Sequence, residues 1–377
     1  MTVPTLLALA AGLGLLIAGG ESLVRGAASL ARTIGMSSLM VGLIVVSFAT
    51  SAPELAVSTG AVVAGYPGLA VGNVVGSNIA NVLLVLGVSA LCVPLLVRSQ
   101  IVRTDIPVMV ALSVGVLLLA LDGTVGPGDG VLLFAALLAY VAVSVVVAHR
   151  RRNTVAARED DGAARGAGSR VRRVLADALF VAVGAALLVV GARLLVTAAG
   201  DIAAALGVSD LVIGLTVVAV GTSLPELVTC VVAVVRGERD IAVGNIVGSN
   251  VFNIGFVLGV TAIVAPQGVS VEPSAIRFDL PIMIAVALVL LPVAFTGSVV
   301  TRWEGALLVA FYAAYLTYLV LATTEHEAFK SFAAAMLWFA VPITALWLLV
   351  MATHELRVRR RRRRDGPPAL DPADPGG

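Results

Sequence analysis

Apolar residues dominate this chain in blocks, and the blocks are long. They fall at roughly 4–30, 38–64, 69–97, 104–121, 129–148, 174–200, 210–235, 241–265, 279–296, 303–322 and 332–353. A helix that crosses a bilayer needs about 20 predominantly apolar residues, and each block is near that length. The pattern predicts eleven transmembrane helices. Two stretches break it. Residues 149–173 (HRRRNTVAAREDDGAARGAGSRVRR) are polar and charged, and read as a linker. Residues 357–377 are an arginine run followed by a Pro/Gly tail with no apolar surface to bury, and are expected to be disordered.

Composition turns the pattern into a class. Of the 377 residues 59% are hydrophobic and 13% charged, and mean hydropathy is +1.04. A soluble domain has about 45–50% apolar and about 25% charged residues. The chain is therefore expected to be an all-α polytopic membrane protein. Net charge is only +2, but the basic residues are clustered, at 150–152, 172–173 and 359–364. Clusters flanking apolar spans signal topology and not nucleic-acid binding. Cys92 and Cys230 form no CxxC and do not occupy equivalent positions, so neither a disulfide nor a metal centre is expected. His149, His326 and His354 sit at span ends without zinc-binding spacing. The first apolar run lacks a basic leader and a cleavage site, and is expected to be the first span.

The chain contains the same passage twice. Residues 42–87 align without a gap onto 214–259 at an offset of 172, and 25 of the 46 positions are identical. Gly35 and Leu39 extend the match to Gly207 and Leu211, and Arg103, Asp105 and Pro107 match Arg277, Asp279 and Pro281 at an offset of 174. Spans 1–5 thus correspond to spans 6–10. Five is odd, so the second half enters the membrane in the opposite sense. The expected fold is an inverted 5+5 transmembrane repeat plus one extra C-terminal helix. The divisions follow: 1–148, first repeat; 149–173, cytoplasmic linker; 174–325, second repeat; 326–356, extra helix; 357–377, tail. Arg25, Arg32, Arg98, Arg103, the linker, Arg236, Arg239, Arg302 and the C-terminal arginines all fall on one side if the N-terminus is outside. That arrangement puts linker and C-terminus in the cytoplasm, in a cell inner or plasma membrane.

The repeated passage carries the chemistry. Thr50, Ser51 and Glu54 share roughly one helix face, as do Thr222, Ser223 and Glu226. Pro53 and Pro225 leave the carbonyls of Ala49 and Gly221 without helical donors. Asn73, Ser77 and Asn81 form a stripe in the third span, with Asn78 beside it; Asn245, Ser249, Asn250 and Asn253 repeat it. Hydroxyls, carbonyls and carboxylates are hard oxygen ligands of the kind Ca²⁺, Na⁺ or Mg²⁺ takes. Gly72/Gly76 and Gly244/Gly248 suit close helix packing as well as local unwinding, and Asn78 and Asn250 suit bundle hydrogen bonds or caps as well as ligation. The glutamates are different. A carboxylate near the middle of a bilayer costs about 2.5–3.5 kcal/mol, and neither motif core holds a basic partner. A bound cation supplies the missing countercharge. Glu21 and Arg25, four apart in the first span, can pair with each other, and Arg103/Asp105 and Arg277/Asp279 read as span-end anchors.

GTSLPEL with GNIVGSN, and SFATSAPEL with GNVVGSN, resemble the two α-repeats of the Ca²⁺/cation antiporter superfamily, that of the sodium/calcium exchangers, in its prokaryotic form. The resemblance covers spans 1–10 and implies a secondary active antiporter, not an enzyme, that exchanges Ca²⁺ for Na⁺ by alternating access. It implies ligand roles for Thr50, Ser51, Glu54, Thr222, Ser223 and Glu226, for Ser77, Asn81, Ser249 and Asn253, and for backbone carbonyls at Ser47 and Ala219. Some members carry Asp where this chain has Asn253; its absence argues against potassium dependence and leaves Na⁺ or H⁺ as coupling ion. No cofactor is implied beyond the transported ions. A proton-coupled Ca²⁺ exchanger uses the same glutamates, and a passive cation channel would also want acidic and carbonyl oxygens. The Arg-rich tail could touch anionic lipid, or serve topology alone.

Overall fold

The computed structural model describes residues 3–156, 167–208, 213, 216–217, 219–295, 299–324, 326–343 and 353. Nearly all of these are helical. In chain order the helices are α1 (Val3–Ile34), α2 (Ser38–Val63), α3 (Pro67–Cys92), α4 (Ile101–Asp122), α5 (Pro127–Ala156), α6 (Ala167–Ala205), α7 (Leu224–Val235, preceded by the short segment Ala219–Thr222), α8 (Arg239–Val264), α9 (Leu280–Phe295), α10 (Arg302–Thr323) and α11 (Ala328–Ile343). Among the described residues eight of them, α1 to α6, α8 and α10, are long and apolar enough to cross a membrane. Helices α5 and α6 run into the expected linker from both sides. The middle of that linker, part of the expected seventh span and the tail 357–377 lie outside the described residues.

Polarity is arranged inside out. Large apolar side chains such as Leu118, Leu132, Leu175 and Phe180 are exposed, whereas Glu54 and Glu226 are each only 1% exposed. Water would penalise that surface and lipid does not. Helices α3 and α8 form the centre, with 78% and 83% of their spans buried against 22% for α1 and 17% for α10. Around them α2 and α7 complete the layer that carries the repeated motifs.

Helices α1 and α6 pack antiparallel along their length. The approach is backbone to backbone: a methyl at Gly19 would lie 2.8 Å from the Gly184 carbonyl, and one at Gly12 would lie 2.9 Å from that of Gly191. Small residues permit such contacts between membrane helices, where dispersion and not hydrophobicity drives association.

Several helices widen into π turns: Gly42–Val46 in α2, Asn81–Val85 in α3, Ile101–Asp105 in α4, Asn253–Leu258 in α8 and Ala275–Asp279 leading into α9. Two of them open at Asn81 and Asn253, the equivalent asparagines of the two repeats. π turns displace backbone from the regular ladder and often mark functional positions. Gly65 and Gly237, also equivalent, follow α2 and α7 at φ +85° and +82°, a conformation that only glycine adopts cheaply. Outside the helices, β1 (Leu95–Leu96) pairs with β4 (Val299–Val300), and β2 (Thr124–Val125) with β3 (Val269–Ser270), both antiparallel. Each ribbon takes one strand from each half of the chain.

Candidate cation site

The four motif-bearing helices meet where Ser47, Thr50, Ser51 and Glu54 of α2 face α8, and where Ser223 and Glu226 at the start of α7 face α3. Glu54 and Glu226 lie close enough for their charges to interact. Among the described residues, no hydrogen bond of ordinary geometry reaches either carboxylate, although Thr50 stands near Glu226, and Ser51 Oγ, Ser77 Oγ, Ser223 Oγ, Asn81 Oδ1 and Asn253 Oδ1 have no partner either. Buried polar atoms are nearly always paired. A concentration of unpaired oxygens at the centre of a membrane protein therefore makes a candidate site for a group that supplies positive charge. No described cluster gathers three or more His, Cys, Asp or Glu. The donor set is two carboxylates with neutral hydroxyl and amide oxygens, which suits a hard cation.

The remaining expected ligands are placed differently. Thr50 Oγ1 lies 3.2 Å from Asn245 Oδ1 and 3.3 Å from Ser249 Oγ, and Ser249 Oγ donates to Asn245 Oδ1 at 3.2 Å. Ser47 Oγ lies 3.0 Å from the Gly42 carbonyl and 3.1 Å from that of Asn245, while its own carbonyl is 3.4 Å from Thr50 Oγ1. Here the hydroxyls of α2 and α8 satisfy one another. Thr222 is half-buried at the end of Ala219–Thr222, the segment that Ala219 opens. The chain breaks at Ser223 (φ −90°, ψ 5°), and α7 restarts with Pro225 in its first turn. The equivalent Pro53 lies inside an unbroken α2.

The asparagines of both stripes were singled out by sequence, but their partners were not. Asn73 Nδ2 donates to Ser58 Oγ at 3.0 Å, and Asn245 Nδ2 to Cys230 Sγ at 3.4 Å, the same contact in each repeat. Asn81 Nδ2 donates to Asn250 Oδ1 at 3.4 Å, and Asn253 Nδ2 to Asn78 Oδ1 at 3.1 Å. Asp105 and Asp279, read as span-end anchors, accept hydrogen bonds from Tyr140 and Tyr315 at 3.0 and 3.3 Å. The tyrosines stand 175 apart in the chain, one more than the 174 that separates the aspartates, so the repeat offset alone does not pair them. Glu21 meets Arg25 as its spacing suggests, but also Arg236 beyond the end of α7, which no local pattern announces.

Buried, unpartnered hard oxygens between two equivalent sets of helices in a polytopic membrane protein point to the class of membrane transporters for cations. The comparisons with known proteins give the family. The model for the sodium/calcium exchanger protein family matches residues 4–146 and again 177–321. The inner membrane protein YrbG of Escherichia coli K12 is 36% identical over 289 residues, covering 74% of this chain and 85% of its own. The sodium/calcium exchanger MaX1 of Methanosarcina acetivorans is 34% identical over 349 residues, covering 85% and 99%. Among solved structures, the sodium-calcium exchanger NCX_Mj soaked with Na⁺ and Ca²⁺ superposes with a TM-score of 0.71 at 30% identity, over 85% of this chain and 99% of that one. The chain belongs to the sodium/calcium exchanger family, a family of transmembrane antiporters.

Proposed function

We propose that this protein exchanges Ca²⁺ for Na⁺ across the membrane by alternating access at a single central site. The observation that carries the reading is the pair of buried, unpartnered carboxylates Glu54 and Glu226 inside a shell of unpartnered neutral oxygens. Two negative charges match one Ca²⁺. When Ca²⁺ leaves, the same oxygens need monovalent cations, because two bare charges in a low-dielectric interior repel each other and are poorly solvated. The empty site then resists crossing, whereas either loaded form crosses, and that restriction converts binding into exchange. In this reading Thr50, Ser51, Thr222, Ser223, Ser77, Asn81, Ser249 and Asn253 complete the ligand set with the carbonyls of Ser47 and Ala219. Thr50 and Ser249 would exchange their mutual hydrogen bonds for the ion.

The wider arrangement belongs to the same proposal: ten helices in two inverted sets of five, an eleventh at the C-terminus, and the Arg-rich face toward the cytoplasm of a plasma or inner membrane. The pairing of equivalent contacts across the repeats supports the inverted relation, and the arginine distribution supports the orientation. Protons are the rival coupling ion, since the same two glutamates could carry them. The test is ⁴⁵Ca²⁺ uptake into proteoliposomes, comparing Na⁺-loaded vesicles with Na⁺-free vesicles that carry only a pH gradient. Uptake is expected to require internal Na⁺. Uptake on the pH gradient alone would make the protein a proton-coupled exchanger, and none under either condition would overturn Ca²⁺ as the cargo.

A further inference from the structure

We propose that Asn78 and Asn250, whose side-chain oxygens are both taken by hydrogen bonds, are positioning residues: each repeat uses its own asparagine to orient the cation-binding amide of the other. The proposal rests on the reading of Asn81 and Asn253 as ligands.

The contacts form two chains related by the repeat. In one, Asn250 Nδ2 points to Met109 Sδ at 3.4 Å, and Asn250 Oδ1 accepts from Asn81 Nδ2 at 3.4 Å. In the other, Asn78 Nδ2 points to Met283 Sδ at 3.5 Å, and Asn78 Oδ1 accepts from Asn253 Nδ2 at 3.1 Å. All six side chains are at most 3% exposed. Asn78 and Asn250 are separated by the same 172 residues as Asn81 and Asn253, and Met109 and Met283 by the 174 of their part of the repeat. An accidental contact would not recur in both copies with donor and acceptor in the same order.

The order has a chemical cause. A carboxamide presents an oxygen on one side and an NH₂ on the other, and half a turn exchanges them. A thioether sulfur has no hydrogen and can only accept. The methionine therefore faces the NH₂ of Asn250 or Asn78, which sends that residue's oxygen toward the partner asparagine. The partner must then offer its own NH₂, and its oxygen is left free for a cation. Asn81 Oδ1 and Asn253 Oδ1 are among the buried atoms without a partner. Turned the other way, each would present an NH₂ dipole to a cation. The methionine end thus sets the polarity, and the cross-repeat hydrogen bond carries it to the site. It also makes each ligand depend on a helix of the opposite half.

The experiment is a double-mutant cycle on the full-length purified protein, with Ca²⁺ affinity read from Ca²⁺-dependent thermal stabilisation and from the concentration dependence of vesicle uptake. Asn250→Leu keeps the branched shape of the side chain and removes its polarity; Asn250→Ala is the second variant should the first fail to fold. Either should weaken Ca²⁺ about 10–100-fold, the usual loss when the partner that orients a metal ligand is removed. In an Asn81→Ala background the same change should cost less than about threefold, because nothing remains to orient. In an Asn253→Ala background it should cost its full amount, since that ligand belongs to the other chain. Asn78→Leu should show the mirror pattern, coupled to Asn253 and not to Asn81. Losses that add in every background would overturn the proposal while leaving Asn81 and Asn253 as ligands. Unchanged affinity in Asn81→Ala and Asn253→Ala would instead overturn the ligand reading, and the positioning role with it.

Discussion

Glu54 and Glu226 are buried with all four oxygens unpartnered among the described residues. That gives substitution two effects of opposite sign. Removing one charge removes a desolvation penalty from the cation-free protein, so Glu54→Gln and Glu226→Gln should each unfold at or above the wild-type temperature in cation-free buffer. In the exchange reading, the same change leaves a bound Ca²⁺ with one countercharge. Losing one partner of a buried charge interaction costs about 3–5 kcal/mol, so apparent Ca²⁺ affinity should fall by at least about a hundredfold. Thermal unfolding with and without Ca²⁺ reads both effects in one series. A variant less stable without cation yet still stabilised by Ca²⁺ would show that the carboxylate has a structural role. Because the two glutamates occupy equivalent positions, the two variants should behave alike. This much was legible in the sequence, since an unpaired Glu in a membrane span has few explanations and here it occurs twice. Bundle hydrogen bonds were one of the two readings the sequence allowed for Asn78 and Asn250, but their partners were not legible. Asn78, Asn250, Met109 and Met283 lie on four different helices, and periodicity along one helix says nothing about which neighbour it meets.

The two central helices, built from the same motif, are packed differently. In α8, Gly244 and Gly248 are buried against α2: a methyl at Gly244 would lie 2.6 Å from the Leu39 carbonyl, and one at Gly248 would overlap Ser47 Oγ and the Leu43 carbonyl. In α3, the equivalent Gly72 is exposed and Gly76 half-buried, and a methyl on either would meet nothing within 4 Å among the described residues. The cradle on α8 is filled by the N-terminal part of α2; on α3, the residues equivalent to Leu39 and Leu43, Leu211 and Leu215, lie outside the described residues. Gly248→Ala should therefore overpack the contact with α2 and cost about 1–3 kcal/mol of stability. Thermal unfolding is the measurement; an unchanged midpoint would show that Ser47 and the Leu43 backbone give way. Hydrophobic runs located the span-length helices because burial in lipid demands apolar length. They gave no sign of the break at Ser223. Pro53 and Pro225 stand in matching sequence, and only tertiary packing decides which helix stays continuous.

Ion pairs gather on the face where α2 closes on α8. Glu21 of α1 contacts Arg236 after α7, and Arg32 of α1 approaches Glu238 at 3.9 Å, while Arg98 Nε donates to Asp240 Oδ1 at 2.9 Å. Arg32, Arg236 and Glu238 line a cavity of about 450 Å³ together with Arg25 and Asp177. The positions equivalent to Arg236 and Glu238 in the first repeat are Ala64 and Tyr66, so the repeat cannot reproduce this latch on the other face. The molecule is symmetric in its site and asymmetric in what holds its faces. Pairs between exposed groups contribute about 0.2–1 kcal/mol each. That is enough to bias two otherwise matched states by up to about fivefold per pair. In the exchange reading, a latch that favours closure on one face lowers the fraction of molecules able to bind from that face. Glu21→Gln should then strengthen apparent Ca²⁺ affinity on the latched face by up to about fivefold, with little change in the affinity of the site itself. Raising ionic strength with a non-transported salt such as choline chloride should mimic the variant in the wild type by screening the pairs. It should do far less to Glu21→Gln. Vesicles of one orientation, titrated with Ca²⁺ from each side at low and high choline, provide the measurement. Equal shifts on both faces would mean that these charges tune the surface potential and not the balance of states.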